Sequence, residues 1–217
     1  MRPFVFDLDG TLITCREKQV AVAGRALSDV GWPGEVDERR FWALKRAGAT
    51  TSEALTTVGV PSAAAGAAAR RWQELIERRE WLLFDRTYPT SFGAIELVRS
   101  QGLAPTLLTA RKDAASVGWE IRRLGLDAVV AEVIVVRPSL AHAGKRDALG
   151  RLSPVAFVGD TETDHSASQA AGVRFAAVTC GQRNAEYLRR AGAEYRFPDV
   201  LSATVAVLRS PAMADQS

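Results

Sequence analysis

Phe4-Val5-Phe6-Asp7-Leu8-Asp9-Gly10-Thr11-Leu12 sets an apolar run against two carboxylates, spaced by one residue and followed by a Gly-Thr turn. Residues i and i+2 of an extended chain point to the same face. The segment therefore aims Asp7 and Asp9 into one small volume. Like charges that close are unfavourable unless a cation lies between them or one acid keeps a proton. The residues alone permit two readings: a strand ending in a metal-binding or catalytic site, and a strand ending in a solvated polar turn.

Further along lie comparable short apolar runs at 105–108, 155–158 and 175–178, with one or two more within 129–136. Helical spacing separates them at 94–100, 114–124, 145–152 and 166–171, and Gly102, Gly125, Gly172 and Gly192 stand where helix C-caps fall. Helices alternating with short buried strands predict an α/β fold, a doubly wound parallel sheet covered on both faces.

Residues 17–86 break that rhythm. The stretch is rich in Ala and Arg, holds four of the five tryptophans and has no convincing strand. Breaks at Gly31-Trp32-Pro33-Gly34, Gly48-Ala49-Thr50-Thr51 and Gly59-Val60-Pro61-Ser62 divide it into about four helices, a small bundle. We expect a core of 1–15 and 87–217 carrying a helical cap of 16–86, beside the strand end where α/β sheets bind ligands. Trp32, Trp42, Trp72 and Trp81 fall within helical patterns and read as cap core rather than ligand stackers. The tail from about Ser210 is short and polar.

At 217 residues the chain suffices for one core with an insert. A net charge of +3 and a pI of about 9.1 are too weakly basic to argue for nucleic acid. Cys15 and Cys180 form neither a metal cluster nor a disulfide framework. Asp7 and Asp9 interrupt any apolar leader, and no run is long enough to span a bilayer. We expect a soluble cytoplasmic protein with neither membrane nor nucleic-acid partners.

Three further sites join the first. One run ends in Thr109-Ala110-Arg111, another in Gly159-Asp160-Thr161-Glu162-Thr163-Asp164, and Lys145 is expected to open a helix. A doubly wound sheet brings its strand ends to one edge. Four aspartates, a hydroxyl and an ammonium there suit a phosphate monoester bound with Mg²⁺, which prefers hard oxygen ligands. Each residue has a plainer reading. Thr109 could be any strand-end hydroxyl. Lys145 could be a solvated first-turn lysine, although a cation gains nothing from the helix dipole there. Asp160 and Asp164 could be an N-cap and a first-turn acid. Arg111 could reach substrate or form a surface salt bridge. Lys45 and Arg46, in a basic turn between two predicted helices, could meet an anionic leaving group or end a solvated helix. His142 and His165 fit no metal-ligand spacing.

Asp7-Leu8-Asp9-Gly10-Thr11, then Thr109, Lys145, Gly159-Asp160 and Asp164, in that order over residues 1 to about 208, resemble the haloacid dehalogenase (HAD) superfamily. The insert resembles its C1-type cap, as in phosphoglycolate phosphatase-like and β-phosphoglucomutase-like members. The resemblance implies a Rossmann-like core and a Mg²⁺-dependent phosphatase for a small phosphate monoester. Asp7 would be the nucleophile, forming an aspartyl phosphate, and Asp9 the general acid and base. The metal would sit on Asp7, the Asp9 carbonyl, Asp160 and Asp164, the last directly or through water. Gly10, Thr109, Ala110 and Lys145 would hold the phosphoryl group, with Arg111, Lys45 and Arg46 as further candidates. A phosphomutase with the same site, a dehalogenase and a non-catalytic binding protein are the rivals. The substrate is open, and so is the choice between monomer and homodimer.

Overall fold

The computed structural model describes residues 1–210. Strands β1 (Pro3–Phe6), β2 (Ala104–Ala110), β3 (Glu132–Val136), β4 (Phe157–Gly159), β5 (Phe175–Val178) and β6 (Arg196–Phe197) form one sheet in the order β3-β2-β1-β4-β5-β6. All neighbours pair in parallel. β1 is central and buried on both sides, which is why its run is apolar without alternation. Phe4 and Phe6 join a cluster with Ile95, Val98, Val117, Val200 and Val207. Val5 faces the other way, onto Leu108, Ala148, Leu149 and Phe157. Helices α6 (Ser91–Ser100), α7 (Ala114–Arg123) and α11 (Val200–Arg209) thus supply one layer. The helices α8 (Ala141–Leu152) and α9 (Glu162–Ala170) supply the other.

Between β1 and α6 the chain forms α1 (Arg16–Asp29), α2 (Glu38–Arg46), α3 (Thr51–Thr57), α4 (Ser62–Leu75) and the single turn α5 (Arg79–Leu82). The breaks lie where Gly and Pro predict them, but the helices number five rather than about four. Asp37 caps α2, and Thr50 with Glu53 forms a capping box on α3. This insert has its own core of Val20, Ala23, Leu27, Phe41, Trp42 and Leu55. Trp32 and Trp72 pack against that core, whereas Trp81 stacks on Phe84 with ring centroids 5.9 Å apart. Both crossings between insert and sheet are tied together, by Thr14 N–H to the Arg86 carbonyl at 2.7 Å and by an Ile13–Thr87 bridge.

Residues 129–136 give one strand, β3, within the one or two expected. Two expectations are corrected. Strand β6 and helices α10 (Ala185–Arg190) and α11 are additional: a two-residue edge strand carries no period, whereas the buried Val200, Ala203 and Val207 of α11 do sit at helical spacing. Lys145 does not open its helix. A 3₁₀ turn at Pro138–Leu140 leads into α8 at Ala141, which places Lys145 in the second turn. Polar tail residues 211–217 lie outside the described residues. No helix among the described residues is long and apolar enough to cross a membrane.

Candidate active site

β1 ends at Phe6, but Asp7 N–H still donates to the Val158 carbonyl of β4 at 2.8 Å, which fixes Asp7 at the C-terminal sheet edge. The chain then closes a tight turn, with Leu12 and Ile13 N–H both on the Leu8 carbonyl at 3.0 Å. Gly10 turns there at a φ of 80°, a conformation costly for residues with a Cβ. A Cβ on Gly10, or on Gly181 in the loop after β5, would overlap the Asp160 carboxylate. Both positions are bare because that carboxylate fills the space between them.

Asp160 follows β4 directly and is wholly buried. Its Oδ2 accepts Gln182 N–H at 2.5 Å, while Oδ1 has no partner. Thr161 caps α9, and Asp164 completes a capping box: Thr161 N–H and Oγ1 donate to Asp164 Oδ2 at 3.1 and 2.6 Å. The other oxygen of Asp164 takes Lys145 Nζ at 2.5 Å, and the same ammonium reaches Asp7 Oδ1 at 2.6 Å. Oxygens of Asp7, Asp160 and Asp164 all lie within 4.8 Å of one another. Three buried carboxylates with one lysine leave an excess of negative charge. Burial, reinforced by Asp164 and opposed by Lys145, pushes Asp7 up to about 7. Burial and then Asp7 and Asp164 push Asp160 well up. Burial works against the charge on Lys145, but Asp164 and Asp7 outweigh it and hold the ammonium above its ordinary range. An all-oxygen set with an orphaned oxygen fits a hard divalent cation.

Asp9 belongs to a second cluster. Arg111 grips its carboxylate with Nε on Oδ2 at 2.7 Å and Nη2 on Oδ1 at 2.6 Å, and Lys18 Nζ from α1 reaches Oδ1 at 3.1 Å. Burial acts to raise Asp9, but the two cations outweigh it and hold the group well below the usual carboxylate range. Arg111 Nη2 also meets Glu120 Oε2 at 3.2 Å, and Lys18 pairs with Asp85. Burial, reinforced by Asp9 and Glu120 and opposed by Lys18, pushes Asp85 up to about 8, and a proton there brings two carboxylates against two cations. The i, i+2 spacing thus does not pool both side chains: Asp7 joins Lys145, and Asp9 joins Arg111 and Lys18.

Thr109 is buried at the end of β2, two residues past the Leu107 that pairs with Phe6, and Ala110 follows it. Arg111 is buried on Asp9, not engaged in a surface salt bridge. In the insert, Lys45 Nζ donates to Thr51 Oγ1 at 3.0 Å and sits 5.4 Å from the Trp72 ring centroid; burial, followed by Arg183, pushes it down to about 8. Arg46 instead spans insert and core, its Nη2 on the Thr179 carbonyl and its own carbonyl taking Asn184 N–H at 2.9 Å. Lys18, Asp85, Glu120 and the Gln182 amide escape sequence reading. The signal within reach was Lys18, one of only four lysines, close to the apolar positions of α1.

The family model for haloacid dehalogenase-like hydrolases matches residues 1–172.

The chain belongs to the haloacid dehalogenase-like hydrolase family.

Solved structures of the same fold include a predicted phosphatase from Clostridium acetobutylicum, with a TM-score of 0.72 at 18% identity, covering 96% of this chain and 99% of the other. A predicted phosphoglycolate phosphatase from Haemophilus somnus gives 0.67 at 21%, covering 92% and 94%. A protein provisionally assigned as a β-phosphoglucomutase from Thermotoga maritima gives 0.66 at 18%, covering 96% and 99%. At these identities the likeness is one of fold. No curated protein matches the chain. The residues on which the resemblance rests, from Asp7 to Asp164, all lie within the matched span.

Proposed function

We propose that the chain is a cytoplasmic phosphatase acting on a small phosphate monoester, with the helical insert as a cap over the site. The observation that carries this reading is the convergence of Asp7, Asp160 and Asp164 within 4.8 Å, with Lys145 bonded to the first and last. Asp7, Asp160 and Asp164 would hold Mg²⁺. When bound, the ion supplies positive charge against the phosphoryl oxygens.

Asp9, which its two cations hold ionised at rest, first takes a proton from solvent; an Asp7 carboxylate oxygen then forms a bond to phosphorus as the ester P–O bond breaks, and the departing oxygen takes that proton from Asp9. The ionised Asp9 then takes a proton from water, whose oxygen bonds to phosphorus as the Asp7–phosphorus bond breaks. Inorganic phosphate leaves and both acids are restored. Lys145 neutralises the phosphoryl charge as Asp7 approaches, with Thr109 and Ala110 at the neighbouring strand end. Lys45, half-buried and with no carboxylate ion pair among the described residues, is the insert's candidate for an anionic leaving group.

Phosphate release from a panel of phosphorylated metabolites tests the reading. Chelator is expected to silence the protein and Mg²⁺ to restore it. Asp7→Asn is expected to lose more than about a thousandfold in turnover while keeping its fold, because the attacking atom is gone. Turnover by the Asn variant at the wild-type rate would refute the nucleophile. The likeness to the Thermotoga protein warrants assaying sugar-phosphate isomerisation on the same panel.

A further inference from the structure

Asp9 is held by residues from both bodies of the fold, and this inference rests on its role as acid and base. Its side chain is 16% exposed, whereas Lys18 and Arg111 are 3% and 6% exposed. Oδ1 accepts two bonds, from Lys18 Nζ and Arg111 Nη2, and Oδ2 accepts one, from Arg111 Nε. A carboxylate has about four acceptor positions, two on each oxygen. Oδ1 is therefore saturated, and the unused position lies on Oδ2.

The two cations come from different places. Arg111 follows β2 in the core, and its planar fork fixes the plane of the carboxylate. Lys18 lies on α1 of the insert. It is anchored from behind by Asp85, on the strand of chain that returns from α5 to the core. Glu120 anchors Arg111 in the same way from α7. Burying this many charges costs more than an apolar contact would. A set of apolar side chains would hold insert and core together with less penalty, but could not orient a carboxylate.

We propose that Lys18 and Arg111 are positioning residues: they pin Asp9 so that Oδ2 alone is presented to the reacting proton, and Lys18 makes that orientation depend on the seating of the insert.

Protonation of the leaving oxygen matters for a basic alkoxide and hardly at all for a stable phenolate. The test is kcat/KM with Mg²⁺ for glycerol phosphate and for dinitrophenyl phosphate. Lys18→Met leaves Asp85 without its cation, so the double variant Lys18→Met, Asp85→Asn is measured beside it. In both, glycerol phosphate is expected to lose about 10- to 100-fold, the scale of a misplaced acid, while dinitrophenyl phosphate stays within about threefold. Lys18→Arg, which keeps a donor cation, is expected to recover most of the loss. Equal losses for both substrates, or no loss for either, would overturn the proposal. So would a double variant that fails to fold, since Lys18 would then serve stability. Asp9→Asn separates the underlying reading: if it shows no preference between the two leaving groups, the acid/base role of Asp9 has failed, and the pinning is moot for that reason alone.

Discussion

Lys145 shows how far one side chain can carry a site. Its ammonium is the cation shared by Asp7 and Asp164, and all three groups are buried. Removing one partner of a buried ionic group strands the others. Lys145→Met is therefore expected to destabilise the metal-free protein by about 3–5 kcal/mol. Chemical denaturation would measure this, and added Mg²⁺ should return part of the loss by taking over the lysine's charge. The sequence located Lys145 but misjudged its setting. The apparent first-turn lysine stands in the second turn, because the 3₁₀ turn at Pro138–Leu140 starts the helical run earlier. Asp7, Asp160 and Asp164 were legible because each ends or follows an apolar run. Arg111 was visible but ambiguous, because nothing local to it reveals that Asp9, 102 positions away, is its partner.

At the scale of the element, the start of α9 does two jobs. Thr161 caps the helix, and the same capping box fixes the Asp164 carboxylate so that its other oxygen faces Lys145. Thr161→Val keeps the shape but deletes the hydroxyl. It is expected to cost about 1 kcal/mol of stability, as lost N-caps do. It should also weaken Mg²⁺ activation, read as a higher half-saturating Mg²⁺ concentration, because Asp164 Oδ2 loses the shorter of its two bonds from Thr161. A stability loss with unchanged Mg²⁺ dependence would confine Thr161 to helix capping. The long periodic helices and central strands were readable because burial imposes a period on them. Strand β6 was not, since two residues at an edge bury too little to leave one.

Across the whole molecule, the buried acids give opposite pH responses, even within the cluster that holds both Asp9 and Asp85. Asp7 and Asp85 have folded-state values raised to about 7 and about 8. Their stabilising contribution is full below their ordinary value near 4 and is lost as pH rises through 7 and 8. Asp9 is held low, so its contribution is present above about 4 and is lost as pH falls below that. Metal-free protein should therefore show its highest melting temperature in mildly acid solution, falling toward pH 8. Mg²⁺ should raise the melting temperature more at pH 8 than at pH 6, where protons compete for Asp7 and Asp160. A Mg²⁺ shift independent of pH, followed by calorimetry, would contradict the three-carboxylate site.

By itself the sequence determined the parallel sheet, the helical insert after β1 and the carboxylates at the strand ends. These features are written in local periods and in residues adjacent along the chain. Only the tertiary structure decided which cation each carboxylate meets. Asp7 and Asp9 are two residues apart, yet one is neutralised from α8 and the other from α1 and the end of β2. The reason is that charge balance in a buried volume is settled by whatever the fold brings there, and those partners lie between 9 and 138 positions away.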